Sequence, residues 1–465
     1  MFVGRSWELS ALLRALEKGP PQFVRVLGRR RVGKTELLLH FLEGRKALLF
    51  DVDETTTPVM LGTLAAQFAT QVRTDPPFLR TWDDFLDAVE RSGLPLIVFD
   101  EFQHVLESGG GGEGRLRSRW DRRWRKSGPS VILCGSSIGM MRGLAEARGA
   151  PLYGRLTADL RLRPMEYRDV RAFHPDLSEA ERVRRFAVFG GTPYYQAMSL
   201  KGTLEESISR ALLNPESPLL NEPTLLLRSE YGDPTRYNSV LTAVGEGCHA
   251  LHDIESRLGT PHGGLGSYLR SLQEDMDLIS LEVPLLGRSK LGRYVISDPF
   301  FAFYYRFIPK ERPLIEARKG DDVLSRIRPQ LEERAGRVFE RVALEALVRA
   351  PEIGGRSPRL RAWGRWWNRT GEEIDIVLVG EDRVWAGEVK WSSAPQGTSL
   401  VYDLLRKIPL IEGRGQLTVL PFVVSRGGVT DGAAHLLEER GGFALTLEDL
   451  TGLFEGLERA PLHGS

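Results

Sequence analysis

A glycine-rich loop near the start of the chain carries the residue types that bind phosphate. Residues 28–35 read Gly-Arg-Arg-Arg-Val-Gly-Lys-Thr, a complete G-x-x-x-x-G-K-[ST] pattern between an apolar run and a helical run. Glycines let backbone N–H groups approach phosphate oxygens, and the following helix N-terminus adds partial positive charge. Lys34 would reach the β- and γ-phosphates, and the Thr35 hydroxyl would bind Mg²⁺. The predicted nucleotide-binding residues of this segment are Gly28, Arg31, Val32, Gly33, Lys34, Thr35 and Glu36.

Two carboxylates follow a second apolar run. Residues 96–101 read Leu-Ile-Val-Phe-Asp-Glu, and such a continuous run is typical of a buried parallel strand. Ligands of open α/β sheets bind at the carboxyl ends of the strands, where Asp100 and Glu101 fall. Asp100 would hold Mg²⁺ through water, and Glu101 would orient or deprotonate an attacking water. Ordinary solvated acids at a strand end are the alternative.

Two weaker signals lie downstream. Residues 130–137 predict another buried strand that ends in small polar residues, so Ser136 or Ser137 would place a hydroxyl near the γ-phosphate. Gly-Ser-Ser is also ordinary turn chemistry. Arg155 follows this strand at the distance at which ring-forming P-loop ATPases keep an arginine finger, which stabilises charge on the transferred phosphoryl group from a neighbouring subunit. An ordinary surface arginine is the alternative.

A third group of charged residues lies in the C-terminal part. Asp375 interrupts an otherwise apolar strand pattern, where an unpaired charge is expensive. Glu388 and Lys390 are two residues apart on the next predicted strand, so both project from one face while Val389 packs behind them. The two acids and a main-chain carbonyl would bind Mg²⁺ or Mn²⁺, and Lys390 would orient or polarise the attacking water. This arrangement predicts metal-assisted hydrolysis of a phosphodiester.

The elements that position these residues follow from periodicity. Residues 1–165 alternate strand and helix patterns, which predicts a parallel sheet with helices on both faces. Residues 115–126 hold seven basic residues against one acid. A DNA-contacting helix is one interpretation, but Leu116, Trp120 and Trp124 recur at helical spacing. We therefore favour a core-facing stripe with solvated arginines on the opposite face.

Residues 235–310 have the pattern of a winged helix. Three helices are predicted over 237–244, 250–258 and 265–272, followed by wing strands over 278–284 and 293–296. Arg270 on the third helix would meet DNA phosphates. The predicted phosphate ligands of the wing are Arg288, Lys290 and Arg293. The acidic end of the third helix argues against tight DNA contact, and many winged helices only pack against protein.

The N-terminal motifs resemble the archaeal-type ATPases of the AAA+/STAND group. The resemblance is carried, in order, by Val3-Gly4-Arg5, the P-loop, the Asp-Glu strand, the Gly-Ser-Ser strand, Tyr153-Gly154-Arg155 and Gly190-Gly191-Thr192-Pro193-Tyr194. It covers roughly residues 1–215. It implies that the Val-Gly-Arg segment borders the nucleotide base and that the Gly-Gly-x-Pro-x-Tyr segment opens a helical lid.

The C-terminal part is similar to restriction-endonuclease-like domains. The predicted order is a helix over 330–349, strands near 359–367, at Asp375 and at Glu388, a helix over 398–411 and a strand over 418–425. The PD-(D/E)XK motif of those domains matches Glu340, Asp375, Glu388 and Lys390, with Ile374 where many members have proline. Trp363, Trp366 and Trp367 lie among arginines before the site. Such interleaving suits nucleic acid, but we favour at least one tryptophan in the core.

The composition limits the kinds of partner and compartment that the chain is expected to have. The chain has 63 basic and 62 acidic residues, so a nucleic-acid surface must be local. No apolar run approaches the roughly 20 residues of a membrane span, and the start of the chain lacks the pattern of a signal peptide. Cys134 and Cys248 are far apart and are interpreted as reduced core residues. We therefore expect a cytoplasmic protein without a membrane segment.

The sequence thus predicts an α/β protein with four domains. These are a P-loop parallel-sheet ATPase domain over 1–165, a helical lid over 166–215, a winged helix over 216–325 and a restriction-endonuclease-like α/β domain over 326–465. The favoured function is an ATP-dependent or ATP-gated DNA-processing enzyme, a homo-oligomer that couples ATP hydrolysis to metal-dependent DNA cleavage in mobile-element or phage defence. The alternative is a STAND-type signalling or scaffold ATPase whose nuclease-like domain only binds nucleic acid or protein.

Overall fold

The computed structural model describes residues 2–19, 21–146, 149–287, 291–411 and 415–459. The chain divides into two compact units. The first comprises Met1–Pro164, Thr192–Tyr194 and Leu226–Gly232, and the second comprises Met165–Gly191, Tyr195–Leu225 and Asp233–Ser465. The predicted division into four domains is finer than this one and stays a prediction.

The first unit is built on a five-stranded sheet whose strands are all parallel, in the order β2-β3-β4-β1-β5. The strands are β1 Phe23–Leu27, β2 Leu48–Asp51, β3 Leu96–Asp100, β4 Ser130–Gly135 and β5 Ala158–Arg161. Every residue of β1 and β3 is buried, as expected of strands covered by helices on both faces. The predicted parallel sheet and its three motif-bearing strands are confirmed.

Helices cover both faces of this sheet. They are α1 Ser6–Leu16, α2 Lys34–Leu42, α3 Thr57–Val72, α4 Trp82–Arg91, α5 Gln103–Glu107, α6 Gly112–Arg119, α7 Arg125–Ser127 and α8 Ile138–Gly143. A π-helical turn, Trp120–Trp124, joins α6 to α7. Leu116, Trp120 and Trp124 are buried in the core, whereas Arg122 and Arg125 are exposed. The predicted core-facing stripe is therefore confirmed.

The second unit contains a mixed sheet in the order β12-β11-β10-β9-β8. Its strands are β8 Ala362–Trp367, β9 Glu373–Val379, β10 Arg383–Lys390, β11 Thr418–Ser425 and β12 Phe443–Thr446. β8 to β10 are antiparallel neighbours, and β10 to β12 are parallel. A separate antiparallel pair joins β6 Ile279–Glu282 to β7 Arg293–Ile296. Trp366 and Trp367 are buried while Trp363 is 49% exposed, so two of the three tryptophans belong to the core.

The remaining helices follow β5 in the chain, and most lie in the second unit. They are α9 Tyr167–Val170, α10 Glu179–Phe189, α11 Pro193–Ala197, α12 Leu204–Leu212, α13 Glu222–Tyr231, α14 Thr235–Gly245, α15 Leu251–Arg257, α16 Gly266–Glu274, α17 Pro299–Glu316, α18 Gly320–Arg349, α19 Thr398–Lys407, α20 Asp431–Glu438 and α21 Leu447–Arg459. α14 to α16, β6 and β7 lie where the winged-helix pattern predicted them. Thr203 and Glu206 form a reciprocal cap at the start of α12.

The long helix α18 differs from its prediction. The sequence pattern places its start near residue 330, but the helix begins at Gly320 and continues through Pro329. A proline removes one backbone hydrogen bond and often ends a helix. Here the apolar positions on both sides of Pro329, Leu324, Ile327 and Leu331 among them, are buried and hold the helix together. The predicted boundary between residues 325 and 326 therefore falls inside a continuous helix.

Two other expectations concern cysteines and membranes. Cys134 is buried as predicted, whereas Cys248 is only half-buried, and neither forms a disulfide. The prediction that Cys248 is a core residue is wrong, because it lies just after the end of α14 rather than within the helix.

Within the ranges that the structure describes, no helix combines the length and apolar character that crossing a bilayer requires.

Candidate functional site

The P-loop has the backbone that its glycines predict. Gly33 has a φ of 90° and Arg31 a φ of 69°, both in the left-handed region. A Cβ atom at Gly28 would lie 2.7 Å from the Leu162 carbonyl oxygen, so only glycine fits there. Gly33 precedes α2, whose first turn contains Lys34, Thr35 and Glu36. The loop therefore presents backbone N–H groups and a helix N-terminus at one place, which suits phosphate oxygens.

The predicted magnesium ligands of the first unit lie together. The Thr35 hydroxyl donates a hydrogen bond of 2.6 Å to Oδ2 of Asp100, which is buried at the end of β3. The buried Lys34 ammonium donates to the Arg29 carbonyl oxygen at 3.3 Å across the loop. A hydroxyl and a carboxylate are the hard oxygen donors that Mg²⁺ prefers, so these residues fit that ion.

Glu101 is held by a small network that sequence reasoning found only in part. Its Oε2 accepts hydrogen bonds from the Ser136 hydroxyl at 2.6 Å and from Gln103 Nε2 at 2.6 Å. Burial works to raise the pKa of Glu101, but Lys34 and the donors Gln103 and Ser136 outweigh it and lower that pKa. Ser136 thus contacts the glutamate, and Gln103 is a site residue that the motif search missed. All of these bonds use one oxygen, so Oε1 is left to accept a proton.

Residues from two other segments of the N-terminal resemblance contact the P-loop. Arg5 donates to the Val32 carbonyl oxygen at 2.8 Å. Arg29 donates to the Thr192 hydroxyl at 2.9 Å, and the Arg31 guanidinium lies 4.1 Å from the centre of the Tyr194 ring. Residues 192–194 belong to the first unit although their chain neighbours do not.

Within the single chain, Arg155 binds Asp121 and Tyr153 rather than residues of the P-loop. Its guanidinium binds both carboxylate oxygens of Asp121, with Nε–Oδ1 at 2.9 Å and Nη2–Oδ2 at 2.8 Å. A third donor, Nη1, binds the Tyr153 carbonyl oxygen at 2.9 Å. Asp121 lies on the π-helical turn. Arg155 is part-exposed, and a role towards a neighbouring subunit stays a prediction.

The C-terminal acids form one cluster with Lys390. The Lys390 ammonium lies 3.2 Å from Oδ2 of Asp375 and 2.7 Å from Oε2 of Glu388. The backbone N–H of Val389 also donates to Asp375 Oδ2 at 2.9 Å, while its side chain packs into the core. Glu388 and Lys390 project from one face of β10, as their spacing predicted. The adjacent strands β9 and β10 bring the acids together.

Glu340 joins this cluster through an arginine. It lies on α18 and is hydrogen-bonded by Arg365 of β8, whose guanidinium is also 3.3 Å from Glu373 and 3.9 Å from Asp375. Burial, with Asp375 as a further contribution, raises the pKa of Glu340 to about 8. Arg365 is one of the arginines among Trp363, Trp366 and Trp367, and the sequence does not predict it as a site residue. A β-bulge between Gly364 and Trp366 sets its position, and no spacing rule reveals it.

A second lysine completes the cluster. Lys407 of α19 donates to Oε1 of Glu388 at 2.9 Å, so each oxygen of this buried carboxylate accepts a hydrogen bond from a lysine. Burial raises the pKa of Glu388, and Asp375 adds to the effect. Asp375 and Glu388 supply hard oxygen donors that fit Mg²⁺ or Mn²⁺. Among the described residues, no group of three or more His, Cys, Asp or Glu side chains is arranged to hold a metal ion.

Residues of the predicted wing contact the mixed sheet of the second unit. Arg293 lies 3.1 Å from Glu373 and over the Trp367 ring, and Trp367 donates to the Leu291 carbonyl oxygen. The Leu285 N–H also donates to the Arg365 carbonyl oxygen at 2.7 Å. The expectation that Arg293 meets phosphates stays a prediction, because its side chain is 37% exposed and one carboxylate does not use all its donors.

The other predicted phosphate ligands give a mixed outcome. Arg270 is exposed on α16, as a phosphate contact would require. Arg288 and Lys290 lie outside the described residues.

The chain is similar in sequence or in fold to several known proteins. A family model described as "Archaea bacterial proteins of unknown function" matches residues 304–400. The uncharacterized protein MJECL04 of Methanocaldococcus jannaschii is 29% identical over 418 residues, which is 88% of this chain and 92% of that protein. The ORC2 protein of Aeropyrum pernix is 16% identical, with 69% of this chain and 94% of that chain covered and a TM-score of 0.42.

The solved structure of the Walker-type ATPase PABY2304 of Pyrococcus abyssi matches with a TM-score of 0.52 and 22% identity. The match covers 66% of this chain and 96% of that chain. A likeness at this identity concerns the fold alone, and it agrees with the parallel sheet and P-loop of the first unit. The chain thus shares the α/β P-loop fold of a Walker-type ATPase.

Proposed function

We propose that the first unit binds and hydrolyses Mg-ATP. The observation that carries this proposal is the joint placement of Thr35, Asp100 and Glu101 beside the P-loop, with the Glu101 carboxylate kept ionised. Bound Mg²⁺ would neutralise charge on the phosphates. Lys34 would contact those phosphates, and Glu101 would accept the proton of the attacking water through its unused oxygen.

The test is nucleotide binding and turnover by the full chain. Lys34→Ala removes the only side-chain cation of the G-K-[ST] segment and is expected to abolish binding of a fluorescent ATP analogue. A matched control is Lys46→Ala, which removes an exposed lysine downstream of α2. Equal affinity of wild type and Lys34→Ala would contradict the assignment.

We also propose that the C-terminal cluster cleaves DNA with a divalent metal. The support is the meeting of Asp375, Glu388 and Lys390 at one place in a mixed sheet, with Glu340 nearby. Bound Mg²⁺ or Mn²⁺ would supply Lewis-acid activation of the phosphate and of water. Lys390 would orient the water, and the restriction-endonuclease-like assignment belongs to this proposal.

A scaffold function is the second candidate, and one observation favours it. Both oxygens of Glu388 are already bound by lysines, so this carboxylate forms a closed set of ion pairs. A domain that only binds nucleic acid or protein would keep such pairs for stability. Plasmid and single-stranded DNA, each with Mg²⁺ or Mn²⁺ and with or without ATP, distinguish the two candidates. Cutting above the Asp375→Ala background supports the nuclease, and its absence in every condition supports the scaffold.

The last part of the proposal concerns the assembly, the compartment and the biological role of the protein. We propose a cytoplasmic homo-oligomer in which ATP turnover gates DNA processing, with defence against phages or mobile elements as its context. Arg155 would complete the nucleotide site of a neighbouring subunit, and Arg270 would contact DNA phosphates. Sedimentation of the full chain with and without ATP, and DNA binding by Arg270→Ala, test these two parts.

A further inference from the structure

Lys407 belongs to the carboxylate cluster, although it comes from a different element than the motif residues. It lies at the end of α19, is only 13% exposed, and donates to Glu388 Oε1 at 2.9 Å. Lys390 takes the other oxygen at 2.7 Å. A divalent ion needs lone pairs of this carboxylate. Each oxygen keeps a further lone pair. A metal ion on Glu388 would nevertheless lie close to two ammonium groups, so the lysines compete with it for this carboxylate.

The two lysines are not equally free to leave. Lys390 is held by both acids and lies on the same strand as Glu388, so its stem keeps it at the site. Lys407 has a second partner on its own helix, because its ammonium lies 2.7 Å from Oδ2 of Asp403, one helical turn away. It can release Glu388 and keep an ion pair with Asp403.

Charge leads to the same conclusion. Asp375 and Glu388 each lie within 3.2 Å of an ammonium group, Lys390 is shared by both acids, and Lys407 is shared by Glu388 and Asp403. A divalent cation added to this set would meet two ammonium groups at short range, where repulsion in a partly buried site is strong. Once Lys407 has released Glu388, Asp375 and Glu388 face one ammonium group and attract the cation.

We propose that Lys407 is a gate for the metal site: it closes the site by binding Glu388 and opens it by releasing Glu388 while it keeps its ion pair with Asp403. The inference rests on the proposed metal-dependent function of the same cluster. Lys407 acts on the reaction through Glu388, so it is a positioning residue that sets when the metal ion enters.

The test measures Mn²⁺ affinity of the nucleotide-free full chain by calorimetry or by the Mn²⁺ electron paramagnetic resonance signal, with Asp375→Ala as background. Lys407→Met removes the competing charge and is expected to tighten Mn²⁺ binding about tenfold, the lower end of the effect that residues around a metal site have on affinity. Lys407→Arg keeps the charge and is expected to bind Mn²⁺ no more tightly than wild type.

Arg406→Met is the matched control, because it removes one positive charge from the same helix. Arg406 pairs with Glu372 and Asp403 and does not contact Glu388. The inference is overturned if Lys407→Met binds Mn²⁺ no more tightly than Arg406→Met. If wild type shows no Mn²⁺ binding above background but Lys407→Met does, the gate is supported. If neither binds, the gate and the metal-dependent function both fail, whereas equal binding by both refutes the gate alone.

Discussion

The two units both bury carboxylates, but their surroundings change ionisation in opposite directions. In the first unit, Glu101 has a lowered pKa, and its hydrogen bonds use Oε2 alone. In the second unit, burial raises the pKa of Glu388 and Glu340, and both oxygens of Glu388 accept from lysines. The first arrangement has one oxygen on which a proton can be accepted, while in the second a cation would compete with two lysines for Glu388. The proposed nucleotide site therefore has its acid in place, whereas the proposed metal site is opposed by nearby positive charge.

The largest expected effect separates the two sites. Asp375→Ala removes a proposed metal ligand, so DNA cleavage should fall to background while ATP hydrolysis measured without DNA stays at the wild-type rate. Asp382→Ala removes an exposed acid between β9 and β10 and should leave both activities intact. If Asp375→Ala slowed ATP turnover in the absence of DNA, the two sites would not be independent.

Arg155 tests whether the first site is complete within one chain. As an arginine finger from a neighbour, its loss should lower ATP turnover by a factor on the order of 10³ and leave nucleotide affinity unchanged. The wild-type specific activity should then rise with protein concentration. Asp121→Asn frees Arg155 from its present partner without removing it, and it should keep more activity than Arg155→Ala. A concentration-independent activity in a sedimenting monomer would contradict a shared site.

Glu101→Gln tests whether the ionised Glu101 carboxylate accepts the proton of the attacking water. We expect ATP to bind and turnover to fall by at least about 10², because the proton acceptor is lost while the phosphate contacts stay. The lowered pKa also predicts no loss of turnover through this group between pH 5 and 8. Glu107→Gln on α5 is the matched control. A decline of wild-type turnover near pH 6 that Glu101→Gln lacks would contradict a lowered pKa.

The last prediction concerns the free energy of unfolding and a buried carboxyl of the second unit. Burial raises the pKa of Glu345 to about 7, with Glu166 as a further cause, while Tyr167 and Arg168 donate backbone N–H groups to it. A carboxyl whose pKa is higher in the folded state binds more protons there, so its contribution is complete below the unfolded pKa and is lost as pH rises towards 7. The free energy of unfolding should therefore fall by about 3 kcal/mol between pH 4.5 and 8 through this group.

Glu345→Gln should lack that part of the pH dependence in chemical denaturation. Glu333→Gln changes an exposed acid of the same helix and should behave as wild type. The same pH dependence in wild type and Glu345→Gln would contradict a raised pKa of Glu345.

The parts of the fold that the sequence predicts well are those set by local pattern. Continuous apolar runs locate β1, β3 and β4, and the spacing of Leu116, Trp120 and Trp124 identifies their buried face. The P-loop and the paired acids were found because phosphate and Mg²⁺ chemistry requires those residue types at fixed spacing. Local pattern also gave the strand bounds 293–296 and 418–425 without error.

The residues that were missed depend on contacts between distant elements. Lys407 of α19 contacts Glu388 of β10, and Arg365, at a register shift of β8, contacts Glu340 of α18. The contact of Arg293 with Glu373 joins residues 80 positions apart in the chain. Neither helix rotation nor strand register between remote segments leaves a periodic signal, so these contacts needed the structure.

The hydrogen bond from Leu285 to Arg365 has a consequence for the edge of the mixed sheet. β8 is an outer strand, and unpaired edge strands attract other chains into the sheet. The wing segment covers part of this edge, next to the half-exposed Trp363. A C-terminal fragment that begins at residue 326 would lack the wing and expose both the edge and the apolar site of Leu285 and Leu286. Because such a fragment also loses core residues such as Tyr167 and Phe186, the full chain is the better test: Leu285→Pro removes the N–H donor and should increase self-association above that of wild type.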